Sequence, residues 1–453
     1  MGLTVIVLAA GQGTRMRSDL AKVLQPLAGR PLLAHVLEKI EALSADETRV
    51  VYGHGGEQVR DAFQDVDLSW HLQAEQLGTG HAVQQAVAGI PADHLVMILC
   101  GDVPQITEVS LQALRTAAAD GMALLTVTLE DPSGYGRVIR NAAGDVVRIV
   151  EHKDANPDEL DVNEINTGMM AISASKLQTW LSQLSNDNAQ GEYYLTDIVA
   201  MAFEDGVRVS AVSTQTAAEG LGVNDRCDLA RAERAMQASI AEKLMIAGVT
   251  LADPRRLDVR GQLAAGRDVF IDVNAVIEGE VQLGHRVRIG PNVVLRDVSI
   301  GNDTQVHAHC HIERSVIGAR CQLGPFARLR PDVQMDDDAK AGNFVELKKS
   351  RIGPGSKVNH LSYIGDTEIG TKVNVGCGTI TCNYDGASKH RTSIGDGAFI
   401  GSGVELVAPV TVEAGAVIGA GSTITKTAPA DQLTVARARQ TTVKNWHKPV
   451  KVK

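Results

Sequence analysis

The sequence predicts two folds within one chain: a parallel α/β sheet in the first half and a parallel β solenoid in the second. In the first half, apolar runs of strand length alternate with amphipathic helical stretches. In the second half, an aliphatic residue returns every six residues. That spacing matches neither a helix, with a period of about 3.6, nor the alternation of a hairpin ladder, but it fits a coiled solenoid. An aromatic content of 3% suits a narrow solenoid interior.

The six-residue repeat extends from Ile271 to Ile424, with occasional five-residue steps that re-phase it, and each repeat predicts one short strand and one corner. Three repeats would form one turn, and the aliphatic residues would stack inward on their equivalents in neighbouring turns. An ordinary β-sandwich is the alternative, but such regular spacing argues against it. The predicted inward residues are Ile271, Ile277, Leu283, Ile289, Leu295, Ile300, Val306, Ile312, Ile317, Leu323, Leu329, Met335, Ala341, Leu347, Ile352, Val358, Ile364, Ile369, Val375, Ile394, Ile400, Leu406, Val412, Ile418 and Ile424.

Composition narrows the class of protein. A chain of 453 residues predicts two or three domains, and a net charge of −10 argues against nucleic-acid and membrane-surface partners. The six cysteines show no metal-ligand spacing, which favours reduced thiols in a cytosolic protein. The first apolar run ends at Gly11 and is too short for a signal or membrane helix. The expected location is therefore the cytoplasm.

A glycine-rich loop follows the first apolar run, which covers residues 4–10. It reads Gly11-Gln12-Gly13-Thr14-Arg15-Met16-Arg17. Glycines let a backbone approach a ligand closely, and the N–H groups of such a loop can bind phosphate. A simple tight turn is the alternative, because Gly-x-Gly alone is a weak motif. Arg15 and Lys22 favour the phosphate interpretation, since cations there suit a polyphosphate.

A second buried run, from Leu95 to Leu99, ends in Cys100-Gly101-Asp102. Ligands bind at the carboxyl ends of strands in such sheets, so Asp102 is well placed for a functional role. A carboxylate there is a natural ligand for Mg²⁺, which usually takes one or two from a protein. The alternative is an aspartate that only caps the next helix.

Three irregularities in the solenoid indicate function rather than structure. Two cations, Arg330 and Lys348, lie on a solenoid wall whose folding does not require charge. His360 occupies a non-inward position of its repeat. Between Val375 and Ile394 the repeat gives way to a predicted loop that contains residues 381–386. A solvated histidine is the simpler explanation of His360 alone, but several polar side chains are predicted on neighbouring turns.

Two segments leave alternatives open. Residues 225–246 predict a helix, which is either an arm between two domains or the last helix of the first. After Asp431 the chain contains no acidic residue, and this basic tail either reaches phosphates or only aids solubility. The expected organisation is a first domain over residues 1–226, an arm over 227–248, a solenoid over 249–436 and a tail over 437–453.

The motif Leu8-Ala9-Ala10-Gly11-x-Gly13-Thr14-Arg15-Met16, followed by Lys22, resembles the signature of the sugar-1-phosphate nucleotidyltransferases. The six-residue repeat resembles the left-handed parallel β-helix of the hexapeptide acyltransferases. From about residue 4 to residue 448, the chain resembles the bifunctional bacterial N-acetylglucosamine-1-phosphate uridyltransferase/glucosamine-1-phosphate acetyltransferase family. The resemblance implies a Rossmann-like α/β nucleotidyltransferase domain followed by an all-β left-handed β-helix.

For the first domain, the resemblance assigns Lys22 and Arg15 to the phosphates, and Asp102 and Asn224 to Mg²⁺. Two departures from the family pattern stand out. Ala21 replaces a proline, and Cys100 replaces an aromatic residue beside the sugar. The implied contacts to UTP and the UDP-sugar are Leu8, Ala9, Ala10, Gly11, Lys22, Cys100, Gly101, Asp102 and Asn224, with Gln73, Gly78 and Thr79 reading uracil and Gly136, Glu151 and Asn166 contacting the sugar.

For the solenoid, the resemblance makes His360 the general base of acetyl transfer, with Glu346 orienting its ring. An imidazole ordinarily titrates near pH 6.5 and is suited to accept the proton of an amine. Cys377 replaces a small residue of the family, a change that we expect to be tolerated. The implied contacts to glucosamine-1-phosphate are Arg330, Lys348, Tyr363 and Asn374, and those to acetyl-CoA are Cys377, Asn383, Tyr384, Ser402, Ala420 and Arg437.

The expected function is therefore the synthesis of UDP-N-acetylglucosamine, a cell-wall precursor, from glucosamine-1-phosphate, acetyl-CoA and UTP with Mg²⁺. The resemblance also implies a homotrimer. One rival hypothesis keeps only the nucleotidyl transfer and makes the solenoid an assembly or regulatory module, as in ADP-glucose pyrophosphorylase. A second rival, a non-catalytic sensor, is disfavoured because Lys22 and Asp102 are both present.

Overall fold

The computed structural model describes residues 2–53 and 56–451, and the chain divides into two compact units, residues 1–236 and 237–453. The first unit is built around the strand Leu3–Ala9, which pairs in parallel with Leu95–Cys100 and Glu47–Tyr52. Its apolar run is buried, as predicted, because one hydrophobic cluster packs on each face of the sheet.

The sheet of the first unit is mixed rather than wholly parallel. Glu164–Ser173 runs antiparallel to both Leu95–Cys100 and Gly121–Thr128, a reversal that the apolar runs did not predict. The strands of the main sheet, in spatial order, are Arg208–Ser213, Gly121–Thr128, Glu164–Ser173, Leu95–Cys100, Leu3–Ala9, Glu47–Tyr52 and Ser69–Leu72, while Arg137–Arg140 and Val146–Val150 lie off this path and Pro26–Leu27 pairs with Arg30–Pro31.

Helices connect and cover these strands, as in other α/β domains. The predicted helix after Gly78 is present as Thr79–Ala86. The α-helices that lie in the first unit are Leu32–Glu41, Gly56–Ala62, Thr79–Ala86, Glu108–Ala117, Pro157–Leu160, Ala174–Leu181, Ile198–Glu204 and Ala217–Gly220. Short 3₁₀ turns occur at Thr14–Met16, Lys22–Leu24, Ala118–Asp120 and Leu195–Asp197.

The second unit is a parallel-strand solenoid with three faces. Every inward residue predicted from the six-residue spacing is buried in one continuous hydrophobic cluster. Equivalent residues pair between successive turns, for example Ala341 with Val358 and Leu347 with Ile364. The prediction of a repeating inward column is therefore confirmed.

Each face consists of short strands stacked in register. The first face contains Thr250–Leu251, Phe270–Ile271, Arg288–Ile289, Gln305–Val306, Gln322–Leu323, Lys340–Asn343, Lys357–His360, Asn374–Val375, Phe399–Ile400, Val417–Ile418 and Leu433–Thr434. Four longer strands, Leu257–Ala265, Ala275–Leu283, Val294–Ile300 and His311–Ile317, begin the other two faces. The second face continues with Arg328–Leu329, Glu346–Lys348, Tyr363–Gly365, Ile380–Cys382, Glu405–Val407 and Thr423–Ile424, and the third with Val333–Met335, Arg351–Ile352, Thr367–Ile369, Thr392–Ile394 and Val410–Val412.

The interruption of the repeat begins later than predicted. Thr381 was assigned to the loop, but it is buried and pairs with Leu406, so it continues the inward column. Its hydroxyl accepts the N–H of Gly365 at 2.8 Å, which satisfies a polar group inside the solenoid. The loop that leaves the corner therefore starts after Cys382.

The helix Arg226–Ile246 supports both interpretations of this segment. In the first unit, Leu229, Ala232 and Met236 pack on a small hydrophobic cluster. In the second unit, Ile240 and Leu244 pack against the solenoid core. The first half of the helix thus packs in the first unit and the second half in the second unit.

Within the described residues, no helix has the length and apolarity needed to cross a bilayer. All six cysteines are free thiols, as their spacing predicted.

Candidate active sites

The glycine-rich loop of the first unit packs directly against Lys22. Gly13 adopts a left-handed conformation with φ of 60°, and a Cβ atom there would lie only 2.8 Å from the Cβ of Lys22. Such a separation is too short for two carbon atoms, so a glycine is required where the loop approaches Lys22. The loop is followed by the 3₁₀ turn Thr14–Met16, in which Arg15 is exposed.

Three of the predicted residues converge at the end of the central strands. The Nζ of Lys22 forms an ion pair with Asp102 and lies 3.4 Å from the Oδ1 of Asn224. The backbone carbonyl of Asp102 accepts the N–H of Val223 at 2.9 Å, and this bond fixes the position of Asp102. One carboxylate and one amide oxygen therefore face the same small volume.

The segment that contains Asn224 is fixed by the start of the following helix. The Asp228 carboxylate accepts the N–H of Asn224 at 2.9 Å, and Asp225 accepts the N–H of Asp228 at 2.9 Å. This reciprocal pairing satisfies N–H groups that a helix start otherwise leaves without partners. The sequence reasoning missed Asp228, although an aspartate three residues into a helix is a recognisable capping signal.

The donor set fits Mg²⁺ better than a metal that needs an all-protein site. No group of three or more His, Cys, Asp or Glu side chains suited to a metal occurs in residues 2–53 and 56–451. Mg²⁺ commonly binds one or two carboxylates together with substrate phosphates. Asp102 and Asn224 provide oxygen donors of the required kind.

A cavity of about 280 Å³ opens beside Lys22 and Asp102. Gln73 is buried in its wall, and its Nε2 donates to the carbonyl of Gly78 at 3.1 Å. Gly78 has φ of 113°, and a Cβ there would lie 2.6 Å from the carbonyl oxygen of Tyr193, so this position also requires glycine. The predicted residues that line the cavity are Leu8, Ala9, Ala10, Gly11, Lys22, Gln73, Gly78, Thr79, Cys100 and Asp102.

Other predicted residues lie outside this wall, and some lining residues were not predicted. Gly101 is buried behind it and donates its N–H to the carbonyl of Leu8 at 2.9 Å. No contact joins Arg15 to Lys22 or Asp102 in the part of the chain that the structure describes. The lining residues that sequence reasoning missed are Val23, Gln76, Ala82 and Glu192.

The three residues assigned to the sugar form a second group. Asn166 donates its N–H to the carbonyl of Gly136 at 2.9 Å, and a Cβ on Gly136 would lie 3.4 Å from both carboxylate oxygens of Glu151. The Oδ1 of Asn166 is buried without a hydrogen-bond partner. An unsatisfied buried acceptor is costly, which suggests that a ligand group completes it.

Burial dominates the electrostatics of this group. It raises the pKa of Glu151, and Asp197, Asp154 and Glu192 add to the shift, while a hydrogen bond from Thr196 opposes it. Burial, with a smaller contribution from Asp102, also raises the pKa of the Cys100 thiol to about 12. Cys100 is therefore a neutral thiol in the cavity wall and not a nucleophile.

In the solenoid, four predicted residues lie in one row along the corner after the first face. We call Asn343, His360, Cys377, Ser402 and Ala420 the histidine row. Successive members belong to successive turns, and the carbonyl of each of the first four accepts the N–H that follows the next member, at 3.1, 3.3, 2.7 and 2.9 Å. Arg437 donates to the carbonyl of Ala420 at 2.6 Å, which joins the tail to the end of this row.

The predicted cations gather at the next corner, after the second face. Arg330 and Lys348 occupy equivalent positions on adjacent turns, and Lys348 lies 4.0 Å from Asp366. The Nδ2 of Asn383 donates to the same Asp366 carboxylate. Lys389 was not predicted from the sequence. Its hydrogen bond is the largest cause that lowers the pKa of Lys348. Burial lowers this pKa further, while the charge of Asp366 raises it. We call Arg330, Lys348 and Lys389 the cation cluster.

Tyr363 and Asn374 lie on different faces of the solenoid. Tyr363 stands on the second face beside Asn383, since a Cβ on Gly365 would lie 2.5 Å from the Tyr363 hydroxyl and 2.7 Å from the Asn383 amide. Asn374 stands on the first face, in register with Lys357 and Phe399. Nothing in the described part of one chain brings Asn374 into contact with the cation cluster.

Within the described part of one chain, the expected contact between Glu346 and His360 is absent, because the two residues lie on different faces of the solenoid. Glu346 accepts a hydrogen bond from Arg330 at 3.1 Å, on the second face. The Nδ1 of His360 instead lies 2.9 Å from the Oδ1 of Asn343 on the preceding turn. Within one chain, the charged hydrogen-bond partner of Glu346 is therefore the Arg330 guanidinium.

Tyr384 lies in the loop after Cys382 and is exposed, with its hydroxyl donating to the carbonyl of Gly386 at 2.5 Å. In the same loop, Asp385 accepts the N–H of Ser388 and that of Ala387 and pairs with His390 at 2.7 Å. Those contacts hold the pKa of Asp385 well below its usual range. These contacts within the loop stabilise its conformation beside Lys389 of the cation cluster.

Comparison with known families agrees with this division of the chain. Residues 5–188 match the MobA-like NTP transferase domain, residues 259–333 the GMPPB C-terminal domain, and residues 391–426 the bacterial transferase hexapeptide model of six repeats. The bifunctional protein GlmU of Alkalilimnicola ehrlichii is 56% identical over 447 residues, which is 99% of this chain and 96% of that protein.

The chain belongs to the GlmU family. The GlmU proteins of Chromobacterium violaceum and Azoarcus sp. (strain BH72) are 54% and 55% identical, and each alignment covers 99% of this chain and 99% or 100% of the relative. Membership confirms the expected fold, an α/β nucleotidyltransferase domain followed by a hexapeptide β-helix. It also confirms the expected class, a bifunctional enzyme with uridyltransferase and acetyltransferase activities that makes UDP-N-acetylglucosamine.

Proposed function

We propose that each unit carries out one of the two reactions. The first unit would use Lys22, Asp102 and Asn224, and the second unit would use the histidine row and the cation cluster. The two groups share no residue and lie in separate units. This separation carries the proposal, because a single-activity enzyme would need only the first group. Acetyl transfer would supply N-acetylglucosamine-1-phosphate, and uridylyl transfer would consume it.

In the first unit, UTP would occupy the cavity beside Lys22, with Gln73, Gly78 and Thr79 reading uracil. The sugar would lie against Gly136, Glu151 and Asn166, where the unpartnered amide oxygen of Asn166 can accept a hydroxyl hydrogen. The phosphate oxygen of N-acetylglucosamine-1-phosphate then attacks the α-phosphorus of UTP, and pyrophosphate leaves. The chain contributes positioning and positive charge, which are the main sources of catalysis in such transfers.

Lys22 and Arg15 are the proposed cations at the phosphates, and Asp102 and Asn224 the residues that hold Mg²⁺. When bound, the ion would neutralise charge on the phosphate oxygens. Because Lys22 forms an ion pair with Asp102, a bound phosphate would share or compete for its ammonium with that carboxylate. The Lys22 side chain is mostly buried at this position, with an exposed fraction of 14%.

In the second unit, the cation cluster would hold the phosphate of glucosamine-1-phosphate, and His360 would act as general base. The amine nitrogen attacks the thioester carbonyl of acetyl-CoA while its proton passes to the Nε2 of His360. The C–S bond then breaks, and the imidazolium returns the proton to the departing CoA sulfur. Acetyl-CoA would lie along Cys377, Asn383, Tyr384, Ser402, Ala420 and Arg437, with Tyr363 and Asn374 contacting the sugar.

We also propose a homotrimer, because one chain leaves an apolar ladder exposed next to the histidine row. Phe326, Phe344 and Leu361 are 47%, 54% and 60% exposed, and all three have a positive φ that bulky residues rarely adopt. The rings of Phe326 and Phe344 stack at 5.2 Å. A neighbouring chain that covers this ladder would bring the second face of one solenoid to the first face of the next. Asn374 could then join the cation cluster of another chain.

We also propose a cytoplasmic location, which the free thiols of the cysteines support.

Expression of residues 249–453 alone tests this division. We expect this fragment to form a trimer by light scattering and to acetylate glucosamine-1-phosphate without uridylyl transfer. A folded fragment that is monomeric and inactive would contradict both the trimer and the placement of the second site.

A further inference from the structure

The side chain directly below His360 in the histidine row is Asn343. The two residues are paired in register on adjacent strands of the first face, Lys340–Asn343 and Lys357–His360. The Oδ1 of Asn343 lies 2.9 Å from the Nδ1 of His360, and the backbone carbonyl of Asn343 accepts the N–H of Leu361 at 3.1 Å. Asn343 is half-buried, whereas His360 is exposed. The solenoid backbone therefore sets the position of the amide relative to the ring.

This contact determines which ring nitrogen can act as a base. An amide oxygen only accepts hydrogen bonds, so its partner Nδ1 must carry the proton. In a neutral imidazole the other nitrogen, Nε2, then has a free lone pair. A neutral histidine in water favours the opposite tautomer, with the proton on Nε2, which cannot accept a proton there. Within one chain, the carboxylate of Glu346 does not contact the ring and accepts from Arg330 at 3.1 Å instead.

We propose that Asn343 is a positioning residue for acetyl transfer: its amide oxygen holds His360 in the Nδ1–H tautomer and keeps Nε2 free for the proton of the substrate amine. The proposal rests on the role of His360 proposed above. It also explains why a neutral amide suits this position. The amide fixes the tautomer and ring orientation without adding a negative charge beside the phosphate-bearing substrate.

Nitrogen NMR of the full-length protein with ¹⁵N-labelled histidine tests the tautomer directly. The His360 signals are identified by their absence in His360→Ala, and spectra are recorded at a pH at which the ring is neutral. We expect a protonated Nδ1 and an unprotonated Nε2 in the wild type and in Asn343→Asp, which retains an acceptor. Asn343→Ala should shift the ring toward the Nε2–H tautomer. A wild-type ring that carries its proton on Nε2 would overturn the proposal.

Kinetics provide the second measurement. Asn343→Ala should lower kcat for acetyl transfer by about three- to tenfold, the usual effect of one lost hydrogen bond. The KM for glucosamine-1-phosphate and the uridylyl transfer should change little. Asn292→Ala is the matched control, because Asn292 also bonds to a side chain on an adjacent turn, accepting from Asn274 at 2.9 Å. A kcat of folded Asn343→Ala within about twofold of this control would overturn the proposal.

These outcomes are separable from the failure of the proposed function. If His360→Ala retains full acetyl transfer, His360 is not the base, whatever its tautomer. If His360→Ala is inactive but Asn343→Ala and the control behave alike in both measurements, only the role of Asn343 fails.

Discussion

The two units assemble their candidate sites in different ways. In the first unit, Lys22 and Asn224 meet although 202 residues separate them in the chain. In the second, Asn343 and His360 meet because one turn of the solenoid separates them by 17 residues. The first site therefore depends on a complete tertiary fold and lies partly enclosed. The second is a row of side chains on the surface of a regular scaffold, which the proposed trimer would enclose with a neighbouring chain.

This difference predicts that the two activities respond independently to substitution. A change among the converging residues should affect only uridylyl transfer, and a change in the histidine row only acetyl transfer. The following substitutions test that separation, from the largest expected effect to the smallest.

Asp102→Asn should reduce uridylyl transfer by at least about 10³-fold, because the proposed metal loses its carboxylate ligand and with it several kcal/mol of charge stabilisation. Acetyl transfer should remain unchanged. Both activities are measured on the same preparation, and removal of Mg²⁺ from the wild type should reproduce the pattern. Equal loss of both activities in a folded variant would contradict separate sites.

His360→Ala should lower kcat for acetyl transfer by about 10²- to 10⁴-fold, the usual contribution of a positioned general base. The KM for glucosamine-1-phosphate should change little, since the cation cluster remains. His307→Ala is a matched control on the same face of the solenoid. A loss below about fivefold at neutral pH would mean that another group or water accepts the proton.

The cation cluster should give acetyl transfer an alkaline limit. Lys389 and burial both lower the pKa of Lys348, so its ammonium loses a proton at a lower pH than an ordinary lysine, and a neutral amine holds phosphate poorly. The KM for glucosamine-1-phosphate should therefore rise as the pH increases through this lowered value. Lys389→Met removes the largest cause, so the rise should move to higher pH.

At neutral pH, Lys389→Met should also raise the KM about two- to fivefold, as expected for one exposed charge. Lys426→Met, an exposed lysine elsewhere on the solenoid, serves as the control. If the rise in KM occurs at the same pH in the wild type and in Lys389→Met, Lys389 does not influence Lys348.

Ala21→Pro should have the smallest effect. Ala21 already has φ of −53°, which lies within the range that proline fixes at about −65 ± 15°. The substitution should stabilise the first unit by about 0.4–1 kcal/mol through the unfolded chain and leave both activities intact. Ala21→Gly should act in the opposite direction. Urea unfolding of the variants measures this effect, and a destabilised proline variant would mean that Leu20 or the loop cannot accommodate the ring.

The sequence predicted the solenoid well because its period is a local property. Every predicted inward residue from Ile271 to Ile424 is buried. The antiparallel strand Glu164–Ser173 was not predicted, because the direction of a buried strand depends on the path of the chain and not on its composition.

The contacts within the sites were harder to predict, for physical reasons that differ between residues. Asn343 could have been found, since it lies one solenoid turn before His360, whereas the resemblance favoured Glu346. Lys389 could not, because it belongs to an irregular loop whose path no period fixes. Thr381 was wrongly assigned to the loop, because its polar side chain fills an inward position that an aliphatic residue fills in most repeats.

The most direct test of two independent sites is a mixing experiment with glucosamine-1-phosphate, acetyl-CoA, UTP and Mg²⁺. Alone, Asp102→Asn should accumulate N-acetylglucosamine-1-phosphate, and His360→Ala should form acetylated sugar and UDP-N-acetylglucosamine at no more than about one-hundredth of the wild-type rate. Mixed, the two variants should restore UDP-N-acetylglucosamine, since the first supplies the acetylated intermediate and the second consumes it. A mixture of folded variants that forms no UDP-N-acetylglucosamine would contradict the account.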